Sequence, residues 1–241
     1  MHRVFFSLLL SFGLLAAGQG GDGRDVLLQA LARYSETEMR NLEREQRNIF
    51  YGQDGEHPTM EMHWRSLVDF EHRRLVNEDY AGGRVIKRTS YVNGTARVVD
   101  LVTGSVSELA DDEHHFDGIL ASDATWPARG LPEAVYEGRM RYLDLVEGEQ
   151  FAIPGDSDKY LFDSSGHLIA RVIPGAVSDS GAPTDIKLYE DERRVNGFWF
   201  SFLIRSYHLE GGEATLVQEV RVLEIKVNQN LNTAHFALDA D

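Results

Sequence analysis

The strongest strand and turn signals of the sequence lie in Thr184–Leu238, which reads TDIKLYEDERRVNGFWFSFLIRSYHLEGGEATLVQEVRVLEIKVNQNLNTAHFAL. It predicts three consecutive β-strands, Thr184–Arg193, Phe198–Tyr207 and Leu216–Val227. A tight turn at Asn196-Gly197 separates the first two strands, and a polar turn with two glycines separates the last two. Asn-Gly and Gly-Gly pairs adopt the positive φ angles that short hairpins need. The stretch therefore predicts an antiparallel meander.

Side-chain alternation gives the second of these strands one very apolar face. On that face lie Phe198, Phe200, Phe202 and Ile204. In the third strand the apolar positions carry even numbers up to Val222 and odd numbers from Leu223 onward. A change of parity inside a strand predicts a β-bulge, and bulges bend a sheet toward closure. We therefore expect a curved sheet wrapped around a cavity.

Two segments of this stretch resemble the LolA-like family, the periplasmic proteins that sort lipoproteins to the outer membrane. Asp191–Phe200 is similar to that family's hairpin, in which a turn containing valine and glycine leads into a hydrophobic strand. Val222–Asn228, followed by Asn232 and His235–Leu238, is similar to the family's closing strand and terminal Phe-x-Leu. Ser201 stands where family members usually have proline.

The resemblance implies an α+β fold, in which a single curved antiparallel sheet forms an open half-barrel and helices cover its concave face. It also implies that acyl chains are held on that face, where each buried methylene contributes about 0.8 kcal/mol. Carriers of the family hold an arginine inside the cavity to keep the lid closed. Arg65 and Arg73 are the candidates in this chain, although alternation places Arg65 on the polar face of its strand.

The first residues predict an export signal. Met1–Arg3 gives a basic start, Val4–Ala17 is apolar, and small residues follow, so we expect cleavage near Gly18. The apolar run is shorter than the roughly 20 residues that a membrane-spanning helix needs. We therefore expect the mature protein in the periplasm, as a single domain over residues 24–241.

The composition excludes several classes of function. The chain has no cysteine, which excludes disulfides, thiolate metal sites and cysteine nucleophiles. Its formal net charge of −15 disfavours binding to nucleic acid and to anionic membranes, because both are bound through lysine and arginine. An acidic chain suits a carrier, or a partner with a basic patch. We expect a monomer.

Apolar residues recur at helical spacing from Leu28 to Leu42. On the outer side of the same helix, Glu43 and Arg47 would form an i,i+4 pair. The pattern predicts a helix that begins near Arg24 and continues past Leu42. This helix either packs on the sheet or forms part of a movable lid.

The clearest strand of the N-terminal half follows. Its apolar face carries Met60, Met62, Trp64, Val68 and Phe70. Methionine is flexible and polarizable, so a lining rich in methionine suits ligands of variable shape. The alternative interpretation is an ordinary core, because such residues are usually buried in any protein.

A ladder of hairpins continues through Arg84–Val92, Thr95–Val102 and Ser105–Leu109. Alternation then fails over residues 110–138, where Asp111–Leu120 predicts a short helix and Leu131-Pro132 begins another that includes Val135 and Tyr136. We expect these helices, which carry Phe116 and Trp126, to cover the open face of the sheet. Further strands are predicted at Arg139–Val146, Lys159–Phe162 and His167–Ile173.

A search for catalytic motifs finds no nucleophile elbow, zinc-protease motif, phosphate loop or dinucleotide-binding glycines. His114 and His115, beside three acidic residues, form the densest group of potential metal ligands. Adjacent residues on a helix point about 100° apart, so the two rarely bind one ion. We expect no metal, no cofactor and no catalysis.

The predicted ligand-binding site is the apolar lining of the half-barrel. It comprises Met60, Met62, Trp64, Val68, Phe70, Phe116, Trp126, Phe198, Phe200, Phe202 and Ile204. The predicted ligand is a lipid or an acylated lipoprotein. Two alternatives stay open. One is a regulatory module that binds an envelope membrane protein, as in the related RseB-type periplasmic regulators, and the other is an enzyme that uses His114 or His115.

Overall fold

The computed structural model describes residues 21–34, 39–92, 94–109, 130–174, 183–231 and 233–236. These residues form one α-helix, thirteen β-strands and two short 3₁₀ segments, Leu131–Glu133 and Thr233–Phe236. The helix and strands, in chain order, are α1 (Gly21–Tyr34), β1 (Asn41–Tyr51), β2 (Pro58–Asp69), β3 (Arg74–Ala81), β4 (Arg84–Val92), β5 (Thr95–Asp100), β6 (Val106–Leu109), β7 (Val135–Tyr142), β8 (Val146–Ala152), β9 (Lys159–Phe162), β10 (Leu168–Pro174), β11 (Pro183–Val195), β12 (Phe198–Glu210) and β13 (Glu213–Val227).

All thirteen strands belong to one antiparallel sheet, which confirms the predicted sheet type. The order across the sheet is β6-β5-β4-β3-β2-β1-β13-β12-β11-β10-β9-β8-β7. Every contact between neighbouring strands joins consecutive strands of the chain except the one between β1 and β13, where Leu42 pairs with Val227. β6 and β7 form the two edges and do not pair with each other. The sheet is therefore open.

The three strands predicted within Thr184–Leu238 are present as β11, β12 and β13, each slightly longer than expected. Asn196 and Gly197, with φ of 50° and 95°, turn the chain between β11 and β12. Gly211 and Gly212, with φ of 62° and 87°, do the same between β12 and β13. Positive φ at both central residues matches the twist of the flanking strands, which is why these residue types form the turns.

The predicted β-bulge is present in β13. The register with β1 shifts by one residue, which makes Leu223 the extra residue. Val222 and Ile225 pack in the same core although their numbers differ in parity. The prediction placed Leu223 on the apolar face, and this detail is wrong, since its side chain is 46% exposed. The extra residue of a bulge is left outside the ladder, so it need not follow the alternation.

The predicted long helix is right only in its first part. α1 ends at Tyr34, and the segment around Leu42 forms β1, at the centre of the sheet between β2 and β13. Glu43, which was predicted to pair with Arg47 along a helix, accepts hydrogen bonds from Arg65 of β2 at 2.9 Å and from Lys226 of β13 at 3.4 Å. Pairing with two neighbouring strands outweighs the weak local propensity for helix.

A second helix prediction is also wrong. The helix expected from Leu131 is a single 3₁₀ turn, closed by a hydrogen bond from the Ala134 amide to the Leu131 carbonyl at 3.0 Å. Val135 and Tyr136 already belong to β7, in agreement with the strand propensity of β-branched and aromatic residues. The strand predicted over residues 139–146 is a hairpin instead, because the chain turns at Leu143, where φ is 51°.

The main core lies on one face of the sheet, which we call the apolar face. It contains Leu42, Val68, Leu75, Tyr91, Ala96, Phe198, Phe200, Val222, Ile225 and Val227, all buried. We call the opposite face the charged face, because it carries ion pairs between neighbouring strands, such as Glu43 with Arg65 and Glu219 with Arg205. Directly paired residues of neighbouring strands project to the same side, so the register assigns each residue to a face.

Helix α1 packs on a second core, in which Val26 and Ala30 of the helix meet the buried rings of Phe151 and Tyr160. The helix approaches the β9–β10 turn so closely that a Cβ atom on Gly166 would lie 2.5 Å from the backbone nitrogen of Ala30. The short helix predicted over Asp111–Leu120 lies outside the described residues. Cover of the concave face by helices therefore stays a prediction.

The predicted signal segment, residues 1–18, also lies outside the described residues. In the described part of the chain, no helix has the length and apolar character needed to span a membrane.

Candidate ligand-binding face

The predicted lining residues of β2 and β12 lie on the same face of the sheet. Met62 pairs with Asn48 of β1, Asn48 with Val220 of β13, and Val220 with Ile204 of β12. Met62 and Ile204 therefore project to one side, with two strands between them. By alternation the same apolar face carries Met60, Trp64, Val68, Phe198, Phe200 and Phe202. Phe70 follows the end of β2 and packs against the main core.

One part of this lining is filled by the protein itself. Val68, Phe198 and Phe200 are buried members of the main core, and Phe200 is only 2% exposed. Phe202 is partly buried against the same core, with the Arg193 guanidinium 4.3 Å from the centre of its ring. These side chains contact other parts of the protein, so their first role is structural.

The other part of the lining is only partly covered. Met60 is 49% exposed, and Met62, Trp64 and Ile204 are of intermediate exposure. We call these four residues the open end of the apolar face. Partly exposed apolar side chains grouped on one face often mark a binding surface, since leaving them in water costs free energy.

Strand β1 adds polar residues to the apolar face that the sequence analysis missed. Gln46 and Asn48 are 5% and 0% exposed. The Asn48 Oδ1 atom accepts hydrogen bonds from Gln46 Nε2 at 3.1 Å and from Gln218 Nε2 at 3.3 Å. Gln46 and Asn48 follow Leu42 by four and six residues, so alternation would have placed them on this face if the segment had been interpreted as a strand.

Five buried polar atoms on the apolar face lack a hydrogen-bond partner in the described part of the chain. They are Gln46 Oε1, Asn48 Nδ2, Trp64 Nε1, Asn77 Oδ1 and Ser206 Oγ. Each buried polar group without a partner costs about 1–3 kcal/mol. Such a concentration at the centre of one sheet face is unusual for a plain structural core.

A row of polar residues crosses the same face over five strands, and we call it the polar row. It consists of Tyr160, Arg171, Lys187, Ser206 and Gln218, each paired with the next. Burial lowers the pKa of the Lys187 ammonium, and the neighbouring Arg171 charge lowers it further. Arg171 donates to the buried Asp158 carboxylate, and the Tyr160 hydroxyl donates to Asp156 at 2.6 Å. Burial is also the main reason why the pKa of Tyr160 is raised.

Two solved structures are similar to this architecture over most of their length. One is a DUF1329 family protein from Desulfovibrio piger, with a TM-score of 0.55 and 8% identity over 90% of this chain and 98% of that chain. The other is a LolA superfamily protein from Nitrosomonas europaea, with a TM-score of 0.50 and 11% identity over 90% of this chain and 98% of that chain. The fold is LolA-like. No family model and no curated protein matches the sequence.

The LolA-like sheet shows where the two candidates for an arginine inside the cavity, Arg65 and Arg73, lie. Arg65 lies on the charged face, where it forms ion pairs with Glu43 at 2.9 Å and Glu78 at 3.5 Å. Arg73 lies in the β2–β3 turn with φ of 49°. Arg44 of β1, paired with Ile225, is the arginine of the central strand that projects to the apolar face. The sequence analysis missed it because the segment was interpreted as a helix.

Four residues singled out by the sequence lie outside the described part of the LolA-like domain. They are Phe116 and Trp126 of the predicted lining, and His114 and His115 of the predicted metal-ligand group. Among the described residues, no group of three or more histidine, aspartate or glutamate side chains is arranged to hold a metal ion.

Glu78 is a densely bonded carboxylate on the charged face of the LolA-like sheet. It is 5% exposed, and it accepts hydrogen bonds from Arg88 at 2.6 Å and from the Tyr80 hydroxyl at 2.9 Å. Burial alone would raise the pKa of this carboxyl, but the bonds from Arg88 and Tyr80 and the charge of Arg65 outweigh it. The pKa of Glu78 therefore lies below its ordinary value of 4.5.

Replacing Glu78 with glutamine is expected to destabilise the domain by about 1–3 kcal/mol at pH 7, because Arg88 loses a charged acceptor in a partly buried position. A lowered carboxyl pKa contributes stability that is present above the unfolded-state pKa and is lost as pH falls through the folded-state pKa. The penalty of Glu78→Gln should therefore shrink between pH 7 and pH 3, as followed by urea unfolding. Glu61→Gln is the matched control, since Glu61 pairs with Arg47 on the same face at 54% side-chain exposure. Equal effects of the two substitutions would contradict the assignment.

Proposed function

We propose that the protein is a non-catalytic periplasmic binding protein that holds the acyl chains of a lipid or an acylated lipoprotein on the apolar face of its sheet. The observation that carries this proposal is the open end, where Met60, Met62, Trp64 and Ile204 stay partly exposed beside a well-packed core. The LolA-like fold supports the proposal, because an open, curved sheet can offer one continuous apolar surface to an elongated ligand.

The energetics favour a long aliphatic guest. About ten buried methylenes would contribute about 8 kcal/mol at ~0.8 kcal/mol each. This gross gain corresponds to a dissociation constant of about 1 μM, and the cost of immobilising the chain makes the net affinity weaker than that. Methionines at the open end suit chains of different length and unsaturation, because their side chains adapt to the shape of the ligand.

The first experiment is native mass spectrometry of the protein purified from an exporting bacterial host. We expect co-purified lipid or acylated peptide, released by organic solvent. A protein without ligand that also fails to take up a fluorescent fatty acid would contradict the proposal. Capture of the periplasmic domain of a membrane protein, with no lipid bound, would favour the regulatory alternative instead.

The double substitution Met60→Ala/Met62→Ala should lower the affinity for a fluorescent fatty acid about tenfold, which corresponds to about 1.4 kcal/mol. The reason is the loss of apolar contact at the open end, and titration by fluorescence measures it. Stability should change little, because the two side chains are partly exposed.

Met140→Ala is the matched control for this prediction. Met140 is 38% exposed and pairs with Gly148 near the edge of the sheet, away from the open end. Its replacement should leave the affinity unchanged. If Met140→Ala lowers the affinity as much as the double substitution does, the ligand does not bind at the open end.

A further inference from the structure

The polar row and the unpartnered polar atoms beside it have no role in holding acyl chains. Lys187 and Ser206 are directly opposite each other on β11 and β12, which places their Cβ atoms about 5 Å apart. Ser206 is 6% exposed, and its hydroxyl is one of the atoms without a partner among the described residues. A cation and an unused hydroxyl thus meet on a buried part of the apolar face.

The carboxylates near Lys187 are engaged by other groups. Asp158 accepts the hydrogen bond of Arg171, and Asp185 pairs with His208 at 3.0 Å. Within the described residues, Lys187 itself forms neither a hydrogen bond nor an ion pair. The ammonium is partly buried, and Asp158 and Asp185 act on it only at a distance. A partly desolvated charge without a direct ion pair is costly, so an anionic ligand beside it would be favourable.

The hydrogen-bonding capacity continues from Ser206 toward the open end. Gln218 pairs with Ser206 and donates to Asn48, whose own Nδ2 atom has no partner among the described residues. Asn48 in turn pairs with Met62 of the open end. Donor groups and apolar side chains are therefore contiguous on one face, as recognition of an amphiphilic molecule requires.

Resting on the proposed function, we propose that Lys187 and Ser206 form a binding site for the oxyanion head group, a carboxylate or a phosphate, of the amphiphile whose chain lies toward the open end. The ammonium supplies the charge, and the hydroxyl supplies a hydrogen bond. Charge-assisted hydrogen bonds of this kind are the strong ones in a buried setting. The site thereby selects acidic lipids over neutral ones.

The test compares the full-length mature protein with its Lys187→Met variant, in which the side chain keeps its length but loses its charge. Binding is measured by calorimetry for oleate, for methyl oleate, which has the same chain without charge, and for acetate and inorganic phosphate, which have the charge without the chain. We expect Lys187→Met to weaken oleate binding at least tenfold and to leave methyl oleate binding unchanged. Lys226→Met, which removes a cation from the charged face, is the control and should change neither.

The outcomes separate this inference from the proposed function. If oleate binds equally well to the protein and to Lys187→Met, the head-group site is wrong while the carrier function stands. If neither oleate nor methyl oleate binds to the unaltered protein, both are wrong. If acetate or phosphate binds as tightly as oleate, the site takes free anions and the assignment to an amphiphile is overturned. Phosphatidylcholine vesicles that contain either phosphatidate or oleate distinguish a phosphate head group from a carboxylate.

Stability gives a second readout that guards against misfolding of the variant. Because burial lowers the pKa of Lys187 from 10.5 in the folded state, its desolvation penalty applies below the folded-state pKa and is relieved as pH rises toward 10.5. Lys187→Met should therefore melt at a higher temperature than the unaltered protein at pH 7, with a smaller difference at pH 10. The charged and ionisable groups that surround Lys187 on its own and the neighbouring strands are Asp158, Tyr160, Arg171, Asp185, Tyr189 and His208. A lower melting temperature for Lys187→Met at pH 7 would show a structural role and overturn the inference.

Discussion

Replacing Gly166 with alanine is expected to destabilise the domain by about 2–5 kcal/mol and to loosen helix α1 from the sheet. Gly166 has a φ of +73°, and a Cβ atom there would lie 2.5 Å from the Ala30 nitrogen and 2.7 Å from the Gln29 carbonyl carbon. These are backbone atoms of α1, so no side-chain rotation relieves the clash. Chemical unfolding measures the loss of stability, and hydrogen exchange of the α1 amides measures the loosening.

Gly155→Ala separates the clash from the strain of the backbone. Gly155 has a similar φ of +83° with nothing within 4 Å of the added Cβ atom. It should cost only the about 1–2 kcal/mol that a left-handed conformation requires of alanine. If Gly166→Ala and Gly155→Ala have equal effects, with α1 protected from exchange in both, the close approach of the helix has no energetic importance.

Phe200→Ala is the second substitution with a large expected effect. Phe200 is 2% exposed in the main core, and emptying such a position costs about 3–5 kcal/mol. For a chain of this size the melting temperature should fall by about 6–20 °C, as measured by calorimetry or circular dichroism. Binding of a fatty acid should survive wherever the variant is folded, since Phe200 belongs to the filled part of the face.

Phe202→Ala provides the comparison within the same strand and face. Phe202 is only partly buried against the core, beneath Arg193, so its loss should cost less than that of Phe200. If Phe200→Ala and Phe202→Ala lower the stability equally, the assignment of Phe200 to the filled part of the face is wrong. The same conclusion holds if folded Phe200→Ala no longer binds a fatty acid.

The hairpins of the second half of the sheet were predictable because local signals decided them. Asn196-Gly197 and Gly211-Gly212 favour the positive φ that their turns adopt, and the parity change at Val222–Leu223 marks the bulge. These signals depend on a few adjacent residues. The apolar face of β12 followed from alternation alone, and the register places Ile204 on the same side as Met62 of β2.

The centre of the sheet could not be predicted in the same way. β1 contains Glu43, Arg44 and Gln46 beside Leu42, residues that satisfy a helical pattern equally well, and only pairing with β2 and β13 decides between the two. The error hid Gln46 and Asn48 from the candidate site. Lys187 was not predicted either, since its partial burial depends on its pairing with Arg171 of β10 and Ser206 of β12 rather than on the residues next to it in the sequence.

The single long-range contact of the sheet, between β1 and β13, has a consequence for how the protein assembles. Strands β1–β6 and β7–β13 each form a ladder of sequential hairpins, whereas Leu42 and Val227, which join the ladders, are 227 − 42 = 185 residues apart. Each ladder can form by successive pairing of strands that are adjacent in sequence. The entropy cost of closing the long loop between Leu42 and Val227 arises only once, when β1 pairs with β13. The open end straddles this junction, with Met62 on one half and Ile204 on the other. A ligand bound at the open end would contact both halves of the sheet. Ligand binding and the pairing of the two halves would therefore be thermodynamically linked.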